Sequence, residues 1–459
     1  MKKFLISTAL LVLSFSAAWS TPWAIVVTQT SRNVTIIDLG QSPPQVYGPF
    51  LSGQFGGGEL LDVAITPDND YALISDFFDQ KIYRVDISNP TSPVLAGVIS
   101  TPNFNPEDIA VSPNGRFAIV SDGAGGGGSN KLVFLDLNNF GSYSVYPLAT
   151  TGAAAQAVDI AFDNRTVIAC DRNAIRIIFG VVNAAYSGLV SESTLGTDGR
   201  CLNVTISPDG TTALVANGLD KNIAVYRITG VGTVVRGATP LVSGFHDYPQ
   251  SIAFSPNGQR AYVVATGSPD SFSWLQVNGP GNVTMGGERA AFIFNNSDAS
   301  YFGVDVLGVT PSGNFAVCGG NGAPKLTNRA TLVNLTSFLA TAIVGTPSDQ
   351  AGVAVFPDPV LPPSNLSLAS LTNNYIFYQE HYNHLTWQAN SRTKTPIAHY
   401  RIYRKTTGAA DSTYRQVGEV GGSTLDYDDR GLSSGDSYTY RVTAVNINNV
   451  ESRPAEAGN

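Results

Sequence analysis

Along most of the chain, apolar residues come in short alternating runs that are interrupted by turn-forming residues. A typical unit contains an apolar strand, a Ser/Thr-Pro-Asp/Asn-Gly turn, a second apolar strand, a polar loop and a third strand. Alternation with a period of two indicates β-strands, while Pro presets the first turn position and Gly accepts a positive φ at the next. The pattern therefore predicts an all-β protein built from repeated hairpins.

The unit occurs seven times, at intervals of about 45 to 55 residues. Clear copies begin at Asp62, Asp108, Asn203 and Ser251, and weaker copies begin at Asp159, Val306 and Gly352. This spacing is typical of four-stranded propeller blades rather than of helical repeats. A single hairpin is too small to be stable alone, so each unit is expected to bury its faces against its neighbours.

The last copy of the unit is incomplete. After Gly352 the sequence supplies one inner strand and then a proline-rich segment, whereas Ala24 to Leu39 has the pattern of a second and third strand without a first. Joining the two ends would complete the last blade and remove the exposed strand edges of an open sheet. The sequence thus predicts a closed seven-bladed β-propeller over residues 21–358, in which N-terminal strands complete the last blade.

The segment VVTQTSRNVTIIDL and the SPDG and SPNG turns resemble the YVTN repeat and the turns of lactonase-type propellers. The resemblance covers residues 24–358 and implies the fold, but such propellers have many unrelated functions. Propeller lactonases typically have Gly-Pro-Arg-His before the inner strand of the fifth unit, where this chain has Tyr248-Pro249-Gln250-Ser251. Without the Arg and the His, the site lacks an evident general base and anion clamp. The resemblance therefore gives little support to lactone hydrolysis.

A different pattern begins after residue 358. Residues 359–364 form a proline-rich linker, and residues 365–459 contain short strands separated by turn signals. This region resembles a fibronectin type III domain: Trp387 matches its buried tryptophan, and Leu432 to Tyr438 matches its tyrosine corner. The segment Asn373 to Tyr382 is longer than the family's usual first connection and is rich in Tyr and Phe. It is expected to cap the core, with a sugar-stacking platform as the alternative.

The first residues resemble an export signal. Lys2 and Lys3 precede the apolar stretch Phe4 to Trp19, and Ala18 and Ser20 are the small residues that a signal peptidase reads. Residues 1–20 are therefore predicted to be a signal peptide, and no later segment has the length and apolar character of a membrane span. The net charge is −8, and no basic run occurs, which argues against a nucleic-acid partner.

Three cysteines and four histidines are present, and their spacing matches no zinc or haem motif. Cys170 ends the second strand of the third unit, and Cys201 opens the inner strand of the fourth, so both belong to one rim on adjacent blades. An exported protein meets an oxidising environment, and a Cys170–Cys201 disulfide is therefore predicted. Cys318 lies inside an apolar strand and is expected to be a buried free thiol.

Acidic residues mark the ends of the predicted hairpins. In each of the first four units one polar residue opens the inner strand and another closes the second strand: Asp62 with Asp76, Asp108 with Asp122, Asp159 with Asp171, and Asn203 with Asn217. Antiparallel pairing around a central turn predicts that the two members of each pair face each other, and a third-unit turn shorter by two residues preserves that parity. The eight residues are predicted to form a binding rim on one face.

Like charges directly opposite each other destabilise a sheet, so a compensating partner is required. It could be a bound cation such as Ca²⁺, a nearby arginine (Arg172 or Arg200), or turn amides that the aspartates cap. The sequence favours an exported, periplasmic or extracellular, binding or scaffold protein that recognises a protein or carbohydrate partner. The alternative is a hydrolase or lyase of lactone or carbohydrate type that uses the acidic rim.

Overall fold

The computed structural model consists of β-strands and one short 3-10 helix, Gly218–Asp220, over the residues that it describes. These residues are 22–123, 131–149, 155–171, 175–267, 271–290, 306–320, 329–346, 350–356, 360, 362–390, 396–409, 413–446, 451–452 and 454–458. The predicted signal peptide and Arg172 lie outside them. No helix in these ranges is long and apolar enough to cross a membrane.

Strands β1 (Trp23–Thr28), β2 (Val34–Asp38) and β3 (Gln45–Phe50) come first in the described chain. Six antiparallel sheets follow, each made of four consecutive strands. The first three contain β4 (Leu60–Ile65), β5 (Tyr71–Asp76), β6 (Lys81–Asp86) and β7 (Val94–Ser100); β8 (Pro106–Val111), β9 (Phe117–Asp122), β10 (Lys131–Asp136) and β11 (Tyr143–Pro147); and β12 (Ala155–Ile160), β13 (Thr166–Asp171), β14 (Arg176–Val182) and β15 (Leu189–Gly196).

The next three sheets repeat the same order. They contain β16 (Cys201–Ile206), β17 (Thr212–Asn217), β18 (Asn222–Gly230) and β19 (Thr233–Ser243); β20 (Tyr248–Phe254), β21 (Arg260–Thr266), β22 (Ser271–Gly279) and β23 (Asn282–Ala290); and β24 (Val306–Val309), β25 (Phe315–Gly319), β26 (Arg329–Asn334) and β27 (Leu339–Gly345). Strand β28 (Gln350–Phe356) then pairs with β1, giving a seventh sheet among the described residues, in the order β28-β1-β2-β3.

The pairing of β1 with β28 joins the two ends of the repeat region. Trp23 lies opposite Phe356, Ile25 opposite Ala354 and Val27 opposite Gly352. Strand β1 therefore has a neighbour on each side, β28 and β2, and its six residues are all buried. This is the pairing that the sequence predicts for the incomplete last unit.

In five of the six sheets of consecutive strands, the turn between the first and second strand is closed by its Ser or Thr. In the second sheet of consecutive strands the Phe117 N–H donates to Ser112 Oγ (3.1 Å), and this hydroxyl donates to the Phe117 carbonyl oxygen (2.7 Å). The residue three positions after this Ser or Thr has a positive φ, as at Gly115 (67°) and Asn69 (59°). Gly and Asn tolerate this backbone conformation, which explains their place in the repeat.

Seven core clusters lie between successive sheets, each made of side chains from two neighbouring sheets. The first strand of every sheet has a buried aliphatic side chain at the same position of the repeat: Val63, Ile109, Val158, Val204, Ile252, Leu307 and Val353. The first strands also contact each other in a closed cycle, from β4 through β8, β12, β16, β20 and β24 to β28 and back to β4. Sheets packed face to face around a closed ring form a β-propeller.

The remaining strands form a two-sheet sandwich: β29 (Ser364–Asn374), β30 (Gln379–Gln388), β31 (Ile397–Thr406), β32 (Arg415–Gly421), β33 (Asp426–Leu432), β34 (Tyr438–Asn446) and β35 (Ala455–Gly458). One sheet has the order β29-β30-β33 and the other the order β32-β31-β34-β35. Their shared core includes Trp387, whose indole packs against Tyr400 with a centroid distance of 5.4 Å. The Tyr438 hydroxyl donates a hydrogen bond to the Asp436 carboxylate (2.9 Å).

The segment Asn373 to Tyr382 does not cap this core, so that prediction is wrong. Strands β29 and β30 stay paired up to Asn374 and Gln379, and the segment therefore continues the hairpin to a tip. At the tip, Ile376 and Phe377 are each 92% exposed.

The closing strand pair allows a direct test of the ring. Deleting residues 22–39 removes β1 and β2, exposes the paired edge of β28 and opens two core clusters. We expect the truncated protein to aggregate or to melt at a markedly lower temperature, as measured by scanning calorimetry and light scattering. A synthetic peptide of residues 22–39 added during refolding should restore part of the lost stability. Unchanged melting and solubility after the deletion would contradict ring closure by β1.

Candidate functional site: the central cavity

The first strands of the seven sheets surround a cavity of about 500 Å³. Each of these strands is the terminal strand of its sheet, so one of its edges has no neighbouring strand and carries backbone N–H and C=O groups outside the ladder. Every first strand contributes to the lining, as shown by Asp62, Glu107, Asp159, Asn203, Ser251, Leu307 and Val353.

Acidic and amide side chains on the cavity wall accept hydrogen bonds from the next sheet. In four cases a side chain on one first strand accepts from a backbone N–H on the following first strand. The nitrogen-to-oxygen distances are 3.0 Å for Ile109 to Asp62, 2.7 Å for Val158 to Asp108, 2.7 Å for Ile206 to Asp159 and 3.2 Å for Ile252 to Asn203. These bonds supply acceptors to N–H groups that the strand ladder leaves unpaired, and they link five consecutive sheets.

Serine residues of the second strands add a parallel set of links. The Asp62 N–H donates to Ser75 Oγ (3.0 Å), and the Ser75 hydroxyl donates to the Glu107 carbonyl of the next sheet (2.7 Å). The same relay runs from the Asp108 N–H through Ser121 Oγ to the Gln156 carbonyl, at 3.0 and 3.3 Å. Two features of the repeat, the opening Asp and the Ser of the second strand, therefore connect neighbouring sheets at the cavity.

The predicted facing of Asp62 with Asp76 is wrong, and so is that of Asp108 with Asp122. Asp76 lies opposite Leu60, and a register shift between Leu60 and Val63 places Asp62 within an irregular part of the strand. Asp122 likewise lies opposite Pro106. A bulge of this kind inserts an extra residue into one strand and redirects its side chains, which no pattern of alternating residues reveals.

The third and fourth units correct the prediction in the same way. Asp171 lies opposite Ala155, and Asn217 lies opposite Cys201, so neither faces the predicted partner, Asp159 or Asn203. Instead, Ile168 lies opposite Asp159, and Ala216 lies opposite Asn203.

Asp159 also occupies a different place on its strand from Asp62 and Asp108. Val158 lies opposite Ala169, two residues before Asp171, and Val63 lies opposite Ile74, two residues before Asp76. Val158 and Val63 are therefore equivalent, and the residue equivalent to Asp62 is Ala157. Asp159 is therefore two residues further along the strand. The third turn lacks the usual Ser or Thr, and the Asp163 carboxylate replaces it by accepting from the Thr166 N–H (2.7 Å).

The carboxylates at the ends of the second strands form a separate, fully buried set that closes loops. Asp76 accepts from the Asp79 N–H (3.2 Å), and Asp122 accepts from the Asn105 N–H (2.9 Å). Asp171 forms a salt bridge with Arg176 (3.0 Å). Asn217 donates to the Thr197 carbonyl (2.7 Å). The eight predicted rim residues thus divide into a cavity set (Asp62, Asp108, Asp159, Asn203) and a loop-closing set (Asp76, Asp122, Asp171, Asn217).

Burial raises the pKa of the three aspartates of the cavity set. The pKa of Asp62 is raised by desolvation and lowered in part by the Ile109 N–H and by the Asp108 carboxyl. Desolvation and then the charge of Asp62 hold the pKa of Asp108 well above its usual range. The pKa of Asp108 is thus raised more than that of Asp62, so Asp108 is the member of the pair that protonates first as the pH falls. Desolvation raises the pKa of Asp159 to about 6, against the hydrogen bonds from the Ile206 and Ile160 N–H groups.

Two of the three cysteines form a disulfide between neighbouring sheets, and the third is a free thiol. Cys170 and Cys201 form a disulfide with a Cα–Cα distance of 6.0 Å, which joins β13 to β16 between neighbouring sheets. Cys318 is a buried free thiol, and burial raises its pKa. Both cysteines of the disulfide belong to the hydrophobic core cluster that the two sheets share.

Several amide and acidic residues of the cavity lining were not among the sequence-predicted site residues. Glu107, Gln156 and Gln250 lie on three first strands, and Gln29 and Gln350 lie where β1 and β28 meet. The signal was present in the sequence, because Glu107 directly precedes Asp108 and Gln250 directly precedes Ser251. Side chains within the described ranges form no group of three or more His, Cys, Asp or Glu that could hold a metal ion.

Comparison with known proteins identifies the fold of the larger region. No protein-family model matches the chain, and no curated protein matches it in sequence. Solved structures do match. A protein of unknown function from Desulfotomaculum acetoxidans is 16% identical, with a TM-score of 0.59 over 72% of this chain and 98% of its own.

Two further structures support the same fold. The periplasmic gluconolactonase of Pseudomonas aeruginosa is 13% identical, with a TM-score of 0.58 over 74% of this chain and 100% of its own. The β-propeller domain of Myceliophteria thermophila Swd1 is 9% identical, with a TM-score of 0.50 over 69% of this chain and 94% of its own. These structural matches establish that the chain contains a β-propeller. Because the sequence identities are so low, the matches show the fold and no activity.

Asp108 allows a test of the cross-sheet hydrogen bonds. Asp108→Ala removes the acceptor of the Val158 N–H, and we expect it to lower the free energy of unfolding by roughly 1 to 3 kcal/mol. Asp108→Asn should have a much smaller effect, because its side-chain oxygen can accept the same bond, as Asn203 does from the Ile252 N–H. Chemical denaturation of both variants provides the measurement. Equal losses in the two variants would contradict the proposed role of the bond.

Asp159 predicts a pH dependence of stability. Its pKa rises from 3.8 to about 6 on folding, so the folded state binds more protons than the unfolded state between these values. The free energy of unfolding should therefore fall as the pH rises through this window, with the Asp159 contribution complete below pH 3.8 and lost above about 6.

The variant Asp159→Asn should reduce this dependence of the unfolding free energy on pH. Denaturation curves recorded from about pH 3.5 to about pH 7.5 cover the range in which Asp159 is expected to titrate. The matched control is Asp136→Asn, which removes the same charge from a position exposed to solvent. A slope that is identical in the wild type and in Asp159→Asn would show that Asp159 does not titrate in this range.

Proposed function

We propose that this protein is an exported binding protein whose propeller recognises a carbohydrate in its central cavity. The observation that carries the proposal is the cavity of about 500 Å³, whose wall combines carboxyl, amide and hydroxyl side chains from successive sheets. A cavity of this size is within the range of sites for small molecules. Concave polar sites of this kind fix a ligand by a few well-placed hydrogen-bonding groups.

The proposal includes a finer description of the architecture. We assign residues 21–358 to a seven-bladed propeller, 359–364 to a linker and 365–459 to a fibronectin type III domain. The seven four-stranded sheets of the described chain and the buried Trp387 support these assignments. Residues 1–20 are assigned to a signal peptide that directs the protein to the periplasm or the cell exterior.

The cavity chemistry matches a ligand that is rich in hydroxyl groups. Sugar hydroxyls both donate and accept hydrogen bonds, and amide side chains such as those of Gln156 and Gln250 do the same. Asp62 and Asp108 add carboxyl oxygens to this wall, and burial raises the pKa of both groups. A strongly anionic ligand would be repelled by this wall, which favours a neutral or cationic saccharide.

The second candidate function is hydrolysis or lyase chemistry on a lactone or carbohydrate. A carboxyl pKa of about 6 at Asp159 is suited to general acid–base catalysis near neutral pH. The likeness to a gluconolactonase concerns the fold alone, and Gln250 and Ser251 stand where propeller lactonases typically have Arg and His. Binding therefore remains the preferred proposal.

Replacing one amide of the cavity should test the binding function. The purified protein is first screened on a glycan array, and affinity for the best-bound glycan is then measured by calorimetry. Gln250→Ala should weaken binding by about tenfold, since it removes a hydrogen-bonding group from the cavity wall. Gln259→Ala, on the exposed turn between the first two strands of the same sheet, is the matched control and should bind like the wild type.

Several outcomes would contradict the proposal. They are the absence of glycan binding and an equal effect of the two glutamine variants. Turnover of a lactone or glycan that is lost in Asp159→Asn would favour the enzyme.

Calcium at the cavity carboxylates is a further hypothesis, and it requires a Ca²⁺-dependent rise in melting temperature that Asp62→Asn reduces. Melting curves that overlay in Ca²⁺ and in chelator would reject it.

A further inference from the structure

The hairpin of β29 and β30 ends in four consecutive large side chains that point into solvent. Tyr375 is 49% exposed, Ile376 and Phe377 are each 92% exposed, and Tyr378 is 61% exposed. Single exposed apolar residues are common on protein surfaces, but a contiguous group at the end of a hairpin marks an interaction site. We call residues 375–378 the hairpin tip.

The tip has a defined conformation. The Tyr375 N–H donates to the Tyr378 carbonyl (2.9 Å) across the turn, and the next pair, Asn374 and Gln379, continues the ladder. The two tyrosine rings stack on each other, with centroids 4.6 Å apart and planes 20° from parallel. This packing leaves Ile376 and Phe377 alone at the apex, and neither residue belongs to the core of the sandwich. The apex is therefore presented in a preformed geometry.

Polarity increases in steps away from the apex. Two purely apolar side chains stand at the end, two phenols follow, and the residues next to them are Asn374 and Gln379. The same order occurs from the hydrocarbon to the water side of a lipid bilayer interface, where tyrosine is enriched at the level of the headgroups. The order of side chains from the apex down the hairpin therefore matches the order of polarity across a bilayer interface.

Charges near the tip are paired with each other. Arg430 contacts Glu380 (3.1 Å) and Asp428 (2.5 Å), and its guanidinium lies 4.5 Å from the centre of the Tyr382 ring. These contacts set one cation against two carboxylates, and residues 364–388 of the hairpin contain no Lys or Arg that could attract anionic lipid. Association with a bilayer would therefore depend on apolar burial rather than on electrostatic attraction.

The shape of the tip also argues against a flat protein interface. A stable protein–protein interface buries about 800 Å² on each partner, contributed by roughly 20 or more residues. Four residues at the end of a two-stranded hairpin offer much less than this area. They suffice for shallow insertion into a lipid interface, where each exposed apolar side chain contributes independently.

We propose that the hairpin tip inserts Ile376 and Phe377 into the interfacial region of a phospholipid bilayer, with Tyr375 and Tyr378 at the level of the headgroups. The protein would thereby be held reversibly at a membrane surface. This inference does not depend on carbohydrate binding in the propeller.

The test uses the full chain and vesicles of pure phosphatidylcholine, which carry no net charge. We expect the protein to cosediment with the vesicles, to the same extent at low and high salt. The double variant Ile376→Asp with Phe377→Asp should reduce the partition coefficient by at least about tenfold, because two apolar side chains no longer enter the lipid. In the variant Phe377→Trp, tryptophan emission should shift to the blue on vesicle addition and be quenched by brominated lipid.

The control variant is Phe162→Asp. Phe162 lies on a propeller turn and is 69% exposed, and this variant should sediment with vesicles as the wild type does. Melting curves should establish that all variants fold. The proposal is overturned if the wild type stays in the supernatant at every lipid concentration, or if the double variant binds as the wild type does. It is also overturned if wild-type protein self-associates through the tip and ignores vesicles, which would assign the tip to a second copy of the chain.

Discussion

The first strand of each sheet has a neighbour on only one side, so its free edge carries backbone groups into the centre of the ring. An unpaired N–H group that is removed from water costs free energy comparable to a lost hydrogen bond. The propeller meets this constraint with side chains from the preceding sheet, as when Asp62 accepts from the Ile109 N–H and Asp108 from the Val158 N–H. The positions of the cavity carboxylates follow from this requirement.

The same requirement produces the chemistry of the cavity. Placing carboxyl groups against backbone amides removes them from water, and the resulting desolvation raises the pKa values of Asp62, Asp108 and Asp159. A raised pKa at one member of an adjacent carboxyl pair lowers the charge repulsion between the two groups. The cavity therefore presents both donors and acceptors, and a structural solution for the strand edges becomes a surface that can bind a polar ligand.

In the sandwich, polar groups in the interior are paired with other side chains rather than with backbone N–H groups of a neighbouring strand. The Tyr440 hydroxyl donates to Asp429 (2.7 Å), and Asp429 also pairs with Arg404 (2.6 Å), so that a buried phenol, carboxylate and guanidinium connect the two sheets. This network holds the sheets from which the hairpin of β29 and β30 projects. The paired strands of this hairpin continue from the sandwich to the exposed tip.

The sequence by itself determined the features that depend on local order along the chain. The turn residues and their spacing predicted the repeated sheets, the strand pattern of Ala24 to Leu39 predicted the pairing of β1 with β28, and the positions of Cys170 and Cys201 predicted neighbouring strand ends. Turn geometry and period-two alternation are local properties, and therefore they can be read without the structure.

Only the tertiary structure decided the partners of the polar residues. The register shift beside Asp62, the displacement of Asp159 along its strand and the pairing of Asp171 with Arg176 were not predicted. A one-residue irregularity redirects a side chain and leaves no trace in the alternating pattern. The partner of Asp62 is also 47 residues away, on the next sheet, so its identity depends on how whole sheets pack around the ring.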